Sequence, residues 1–193
     1  YVEIAGGKDH SVARRSDGSV VAWGANGYSQ LAVPALAPGS AMVQLSSGVN
    51  SDYTIALFAS GAFHWFGEGC AGSGGVTQLD ALGPPRVGQT FTVHLTPQPP
   101  SAAFMLLGFS NTATAFGPLP IDLTVLGMSR CLLRVSPDVV LPVGGNPARA
   151  ELPIPDDGAL AGALFHQQAF LLDLGANPAG AVLSHAATGL IGM

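Results

Sequence analysis

Two cysteines and five histidines carry most of the chemistry open to this sequence. Cys70 and Cys131 are too few for a zinc ribbon or knuckle. They are either two buried thiols or one disulfide. A bridge would close a loop of about 60 residues, and chain-entropy reasoning gives it about 4 kcal/mol. It would also place the protein outside a reducing cytoplasm. His10, His64, His94, His166 and His185 are scattered, with no pair at the H-x-x-x-H spacing of a metal site; turn or core hydrogen bonding is their expected role. Ser184 and His185 are neighbours, so on a strand their side chains point to opposite faces and cannot act as nucleophile and base. Gly108-Phe109-Ser110-Asn111-Thr112 lacks the closing glycine of a nucleophile elbow.

Three further patterns invite a functional reading. Gly67-Glu68-Gly69-Cys70-Ala71-Gly72 is formally G-x-G-x-x-G, but Ser73-Gly74-Gly75 follows and cannot start the helix that a pyrophosphate needs. The glycines read as a flexible hinge, and no cofactor is expected. Asp156-Asp157, with Asp122 and Asp138 in other loops, offers hard oxygens for calcium. Turn capping is the simpler role for them, and no metal residue is assigned. Trp23, Tyr28, Trp65 and Phe66 could form a platform for sugar stacking or could pack as core. Glutamates are scarce (Glu3, Glu68 and Glu151), so nothing points to a carboxylate pair for glycoside hydrolysis. No catalytic residue emerges, and the chain is not expected to be an enzyme.

The elements that would hold these residues are short strands. Of 193 residues, 48% are hydrophobic and 10% charged, against roughly 25% charged in ordinary domains. Lys8 is the only lysine. A surface so poor in charge is weakly protected against association; either neighbours cover it or the composition follows a preference for Ala, Gly and Pro. A net charge of −5 argues against nucleic-acid binding. No apolar run is long enough for a membrane span; the most apolar, Ala159 to Leu174, is broken by His166, Gln167, Gln168 and Asp173. A first residue of Tyr1 rather than Met fits either a removed leader or a place inside a longer chain. The 26 glycines and 15 prolines punctuate apolar runs, the pattern of strands joined by tight turns.

Residues 2–24 and 43–67 are an internal repeat. From His10 onward they align at a constant offset of 43, and the second copy carries two extra residues after Gly48. Gly18 falls on Gly61 and Gly24 on Gly67. Repeats of this period signal propellers or solenoids. Each copy reads as three strands; in the first they are Val2 to Ala5, Ser11 to Arg15 and Ser19 to Trp23, with a turn at Ser16-Asp17-Gly18. Val33 to Pro38 reads as an extended link, because proline denies a ladder its donors. The pattern V-x-I-A-G-G-x-x-H-S-x-A, then S-D-G-S-V-V-A-W-G-x-N-x-Y-x-Q-L, resembles the repeat of the regulator of chromosome condensation propellers. Gly18, Trp23 and Gly24 carry it in the first copy; Gly61, Trp65 and Gly67 carry a degraded form in the second. Arg14 stands where that family usually has an apolar residue. The resemblance implies propeller-type blades over residues 1–67. Two such units leave unpaired strand edges and half-covered apolar faces, to be covered either by further repeats upstream in the native chain or by another molecule.

Residues 68–193 read as a second domain. Thr90 to Leu95 alternates, Ala103 to Phe109 reads as a central strand, and Cys131 to Val135 alternates again. Ala148 to Ile154, Gly162 to Leu172 and Ala181 to Ile191 complete a two-sheet antiparallel β-sandwich, with one helical turn available within Asp157 to Leu164. The run from GCAGSGG through FMLLGFSNT and SRCLLRVSPD to LLDLGANPAG is similar to the C-terminal β-sandwich modules of large secreted bacterial proteins. That resemblance implies attachment, assembly or display without catalysis, and it implies a Cys70–Cys131 bridge. The chain as a whole is therefore expected to be all-β and extracellular. Its expected function is that of a structural subunit: a filament, sheath or surface-layer component that adds strands between copies of itself. A carbohydrate- or protein-binding module, with surface polysaccharide as a possible partner, is the alternative.

Overall fold

The computed structural model describes residues 1–15, 19–36, 40–97 and 101–192. The protein is all-β, built from antiparallel sheets with no closed barrel. At the N-terminus, β1 (Glu3–Gly6), β2 (His10–Arg14) and β3 (Val20–Gly24) form a meander in the order β1-β2-β3. β4 (Ser40–Ser46) and β5 (Ile55–Ser60) form a separate two-stranded ladder. These five strands correspond to five of the six expected from the repeat.

The sixth, β6 (Ala62–Phe66), goes elsewhere. The sequence pattern groups it with β4 and β5 in residues 1–67, yet it pairs with β17 (Ala181–Leu190), more than 110 residues later. Gly61 sits at the bend with φ +75°, a conformation cheap only for glycine. A β-carbon there would lie 2.6 Å from the Pro85 carbonyl oxygen. Gly61 therefore lets the chain pass against the 84–87 segment and enter a new sheet. Trp65 and Gly67, which mark the second repeat in sequence, travel with it.

Between these lie β7 (Gln78–Ala81), β8 (Thr90–Thr96) and β9 (Ala103–Gly108). Two short ladders follow, β10 (Ala113–Thr114) with β11 (Gly117–Pro118) and β12 (Ile121–Asp122) with β13 (Leu132–Leu133). Then come β14 (Val139–Pro142), β15 (Arg149–Pro153) and β16 (Leu164–Leu172). The larger sheet has the order β14-β9-β16-β17-β6 and the smaller β15-β8-β7. They face each other across one core. Phe91, Val93 and Leu95, the inward set of β8, meet Met105, Phe165, Ala169, Leu171 and Leu183 of the larger sheet. Phe91 stacks edge-on to Phe165 at 5.8 Å and lies 5.0 Å from Phe63, ring centre to ring centre. This is the expected two-layer arrangement, with β6 added at one margin.

Other sequence expectations are met unevenly. Asp157 caps a 3-10 turn at Gly158–Leu160 by accepting the Ala159 N–H at 2.9 Å. The expected strand from Cys131 to Val135 shrinks to Leu132–Leu133, because the Arg134 N–H donates to the Gln168 side chain instead of a ladder. Cys70 and Cys131 form a disulfide, Cα atoms 5.0 Å apart, within the core.

Candidate functional site: the paired N-terminal repeats

The two repeat ladders lie against each other. On the first, Val12, Val20 and Ala22 share one face by register. They line a cleft of about 170 Å³ opposite Met42, Leu45 and Ala56 of the second. Polar contacts fix the approach. The His10 imidazole Nε2 and the Thr54 hydroxyl share a hydrogen bond of 2.9 Å. Lys8 N–H donates to the Ser51 carbonyl at 3.0 Å. Glu3 links three elements, accepting from the Leu45 N–H at 3.1 Å and from Arg14 Nε at 2.9 Å. Burial works to raise the Glu3 pKa, but the bonds from Arg14 and Leu45 and the Arg14 charge outweigh it and hold the carboxyl below its ordinary value. Arg14, the residue that departs from the repeat pattern, is thus a buried partner of Glu3, and it is Glu3 that reaches the second repeat at Leu45.

Residues 1–30 match the Regulator of chromosome condensation (RCC1) repeat. No curated protein and no solved structure matches the chain. The matched residues thus span β1, β2 and β3. Of the residues that mark the repeat, Trp23 and Gly24 end β3. Gly18 lies outside the described residues.

The pair of ladders stands on the outer face of the larger sandwich sheet. Val20, Val33 and Met42 face Leu164 and Leu190 around a groove of about 380 Å³. Beneath lies a row that sequence spacing could not reveal. His64, Thr188 and His166 are directly opposite one another on β6, β17 and β16. His166 Nδ1 and the Thr188 hydroxyl share a 2.9 Å hydrogen bond. Burial lowers the pKa of both histidines, and the Arg14 charge lowers that of His64 further. Both rings are therefore suited to the neutral form in this layer.

The remaining candidates are each held by local contacts. Ser184 is buried, accepting from the Ala169 N–H and donating to the His185 carbonyl. The His185 ring instead lies by the Thr77 carbonyl and stacks on Trp65 at 5.8 Å. His94 is on β8 between Asp80 and Arg149. Asp122 accepts the Thr124 N–H at 2.8 Å, and Asp138 accepts from the Phe109 N–H and the Ser136 hydroxyl. Among the described residues no three of His, Cys, Asp and Glu come together as metal ligands. Trp65 and Phe66 are successive on β6 and project to opposite faces, so the four aromatics do not form one platform. Trp65 Nε1 donates to the Leu79 carbonyl, and Phe66 packs edge-on to His166.

The glycine segment expected to be a flexible hinge is tied down. Cys70 N–H donates to the Leu183 carbonyl, and Gly72 and Gly75 exchange backbone hydrogen bonds. Gln168 is fully buried, donating to the Leu132 and Ser184 carbonyls and accepting from Arg134. Sequence reasoning missed these clamps. Their signal was the set of polar residues interrupting the apolar run from Ala159 to Leu174, each of which is buried.

Proposed function

We propose that this protein is an extracellular structural subunit that assembles with copies of itself through its N-terminal repeats. The observation that carries this reading is the state of β5. In the first repeat the middle strand β2 is paired on both sides, by β1 and β3. In the second, among the described residues, β5 is paired by β4 alone, because β6 has joined the sandwich. The strand so left carries Ile55, Leu57 and Phe58 in the open. A bare margin lined with apolar groups favours strand addition from another chain. The buried Cys70–Cys131 bridge supports an oxidising, extracellular setting. Among the described residues no helix is long and apolar enough to cross a membrane.

The test is the oxidised full chain, followed by sedimentation velocity over a range of concentrations and by electron microscopy. Ordered polymers are expected. A protein that stays monomeric throughout overturns the reading. A monomer that binds glycans would instead favour a carbohydrate-binding module, with exposed Trp23 and Tyr28 as its stacking groups.

A further inference from the structure

The two repeats present one surface twice, with its burial inverted. Pairing within the ladders makes the equivalence explicit. Ile4 lies opposite Ala13 as Leu45 lies opposite Ala56; Ala5 opposite Val12 matches Ser46 opposite Ile55; Glu3 opposite Arg14 matches Gln44 opposite Leu57. Within the chain, the Val12–Arg14 face of the first repeat packs on the Leu45–Ala56 face of the second. Val12 and Arg14 are accordingly 4% and 7% exposed, while their counterparts Ile55 and Leu57 are 63% and 59% exposed. Leu45 is 6% exposed and its counterpart Ile4 is 69%. Val21 and Trp23 share the Ile4 face, by register with Ala13 and Ser11.

We infer that a second copy of this chain repeats the internal contact, seating its Ile4–Trp23 face on the Ile55–Leu57 face of the first. This rests on the self-assembly reading and names its interface. The occupant follows from the repeat itself. The Ile55–Leu57 face is the counterpart of a face that already binds a Leu45-type surface, and each copy displays such a surface with Ile4 and Trp23 exposed. The seat between copies is narrower than the one within the chain. Phe63 and Trp65, the counterparts of Val20 and Ala22, have left with β6. The β5 margin therefore stays accessible to strand addition beside the stacked faces. Each copy offers one face of each kind, so the contact is heterologous and leads to a chain of copies rather than a two-fold dimer. Exposed apolar surface of this extent is otherwise a liability for an isolated molecule.

Two variants of the full, oxidised chain test the inference: Ile4→Lys and Leu57→Lys. Both positions are exposed, so each variant is expected to keep its disulfide and a wild-type thermal transition. Sedimentation velocity is then run on the wild type, on each variant alone and on an equimolar mixture. Wild-type assembly, weakening of self-association by about tenfold or more in each variant, and a one-to-one dimer with nothing longer in the mixture are expected. The mixture forms that dimer because Ile4→Lys keeps the Ile55–Leu57 face and Leu57→Lys keeps the Ile4 face. If the wild type assembles and the variants assemble equally well, the interface is wrong while self-assembly stands. If folded variants fail to pair when mixed, the head-to-tail arrangement is wrong. A wild type that never assembles removes both.

Discussion

The Asp173 carboxylate accepts hydrogen bonds from both the backbone N–H and the hydroxyl of Ser73, at 2.6 and 2.9 Å. One side chain at the end of β16 thus holds the segment that follows β6, 100 residues earlier in the chain. The Ser73 N–H lowers the Asp173 pKa against the opposing effect of desolvation, and the Ser73 hydroxyl and Gly175 N–H add to the lowering. Because the folded value is depressed, the stabilisation is complete above the ordinary carboxylate value of about 3.9 and is lost as pH falls through the folded value. Asp173→Asn is expected to lower the melting temperature at neutral pH and to flatten its decline below about pH 4. Thermal melts of both proteins from neutral to acid pH measure this; parallel curves would count against the clamp.

The His64–Thr188–His166 row predicts a second pH response, at milder acidity. Both histidines have folded pKa values below the ordinary histidine value of about 6.5. The unfolded chain therefore binds more protons between the folded and unfolded values, and stability falls as pH drops below about 6.5. His64 also faces Arg14, whose charge is only partly offset by Glu3. His64→Gln is expected to reduce the slope of melting temperature against pH between about 7.5 and 5.5. An unchanged slope would remove His64 as its source.

The disulfide joins residues 61 apart in sequence. Closing a loop of that length is worth about 4 kcal/mol in the chain-entropy account. A Cys70→Ala, Cys131→Ala double variant is expected to lose that order of stability in urea unfolding at neutral pH. Both cysteines are buried, at 5% and 1% exposure, so the loss should appear as a shift of the whole transition. A midpoint equal to that of the oxidised wild type would show that the bridge is dispensable.

Gly61 carries the departure of β6 from its repeat. Alanine there would meet the Pro85 carbonyl oxygen at 2.6 Å while held at positive φ. Gly61→Ala is expected to cost about 1–3 kcal/mol. Gly27, where an added β-carbon would meet nothing within 4 Å, provides the control; Gly27→Ala should be close to neutral. Equal urea midpoints for the two variants would contradict the strained-bend account.

Much of the architecture was legible before any coordinates. Alternating Phe91, Val93 and Leu95 announce a half-buried strand, because side chains on a pleated strand alternate between faces. Those three residues do form the inward face of β8. The repeat was likewise visible as matched positions, and its first copy folds as the expected meander. The polar interruptions His166, Gln168 and Asp173 were visible too, but not their partners. Each partner comes from a distant segment: Thr188, Arg134 and Ser73 respectively.

The residue order by itself determined the longer strand-forming segments, such as those at Thr90 and Ala103, and the twofold N-terminal pattern, since each follows from local periodicity; Gln78–Ala81 and Val139–Pro142, strands of the two facing sheets, were not among the expected strands. Only the tertiary structure decided which ladder each strand joins. β6 has the sequence of a third blade strand, yet the free margin of β17 takes it, and a margin formed by residues 181–190 leaves no trace in residues 62–66. That one pairing leaves β5 bonded to β4 alone among the described residues. Burial at equivalent positions such as Ile4 and Leu45 can differ completely, because exposure depends on what lies across the face and not on the residue itself.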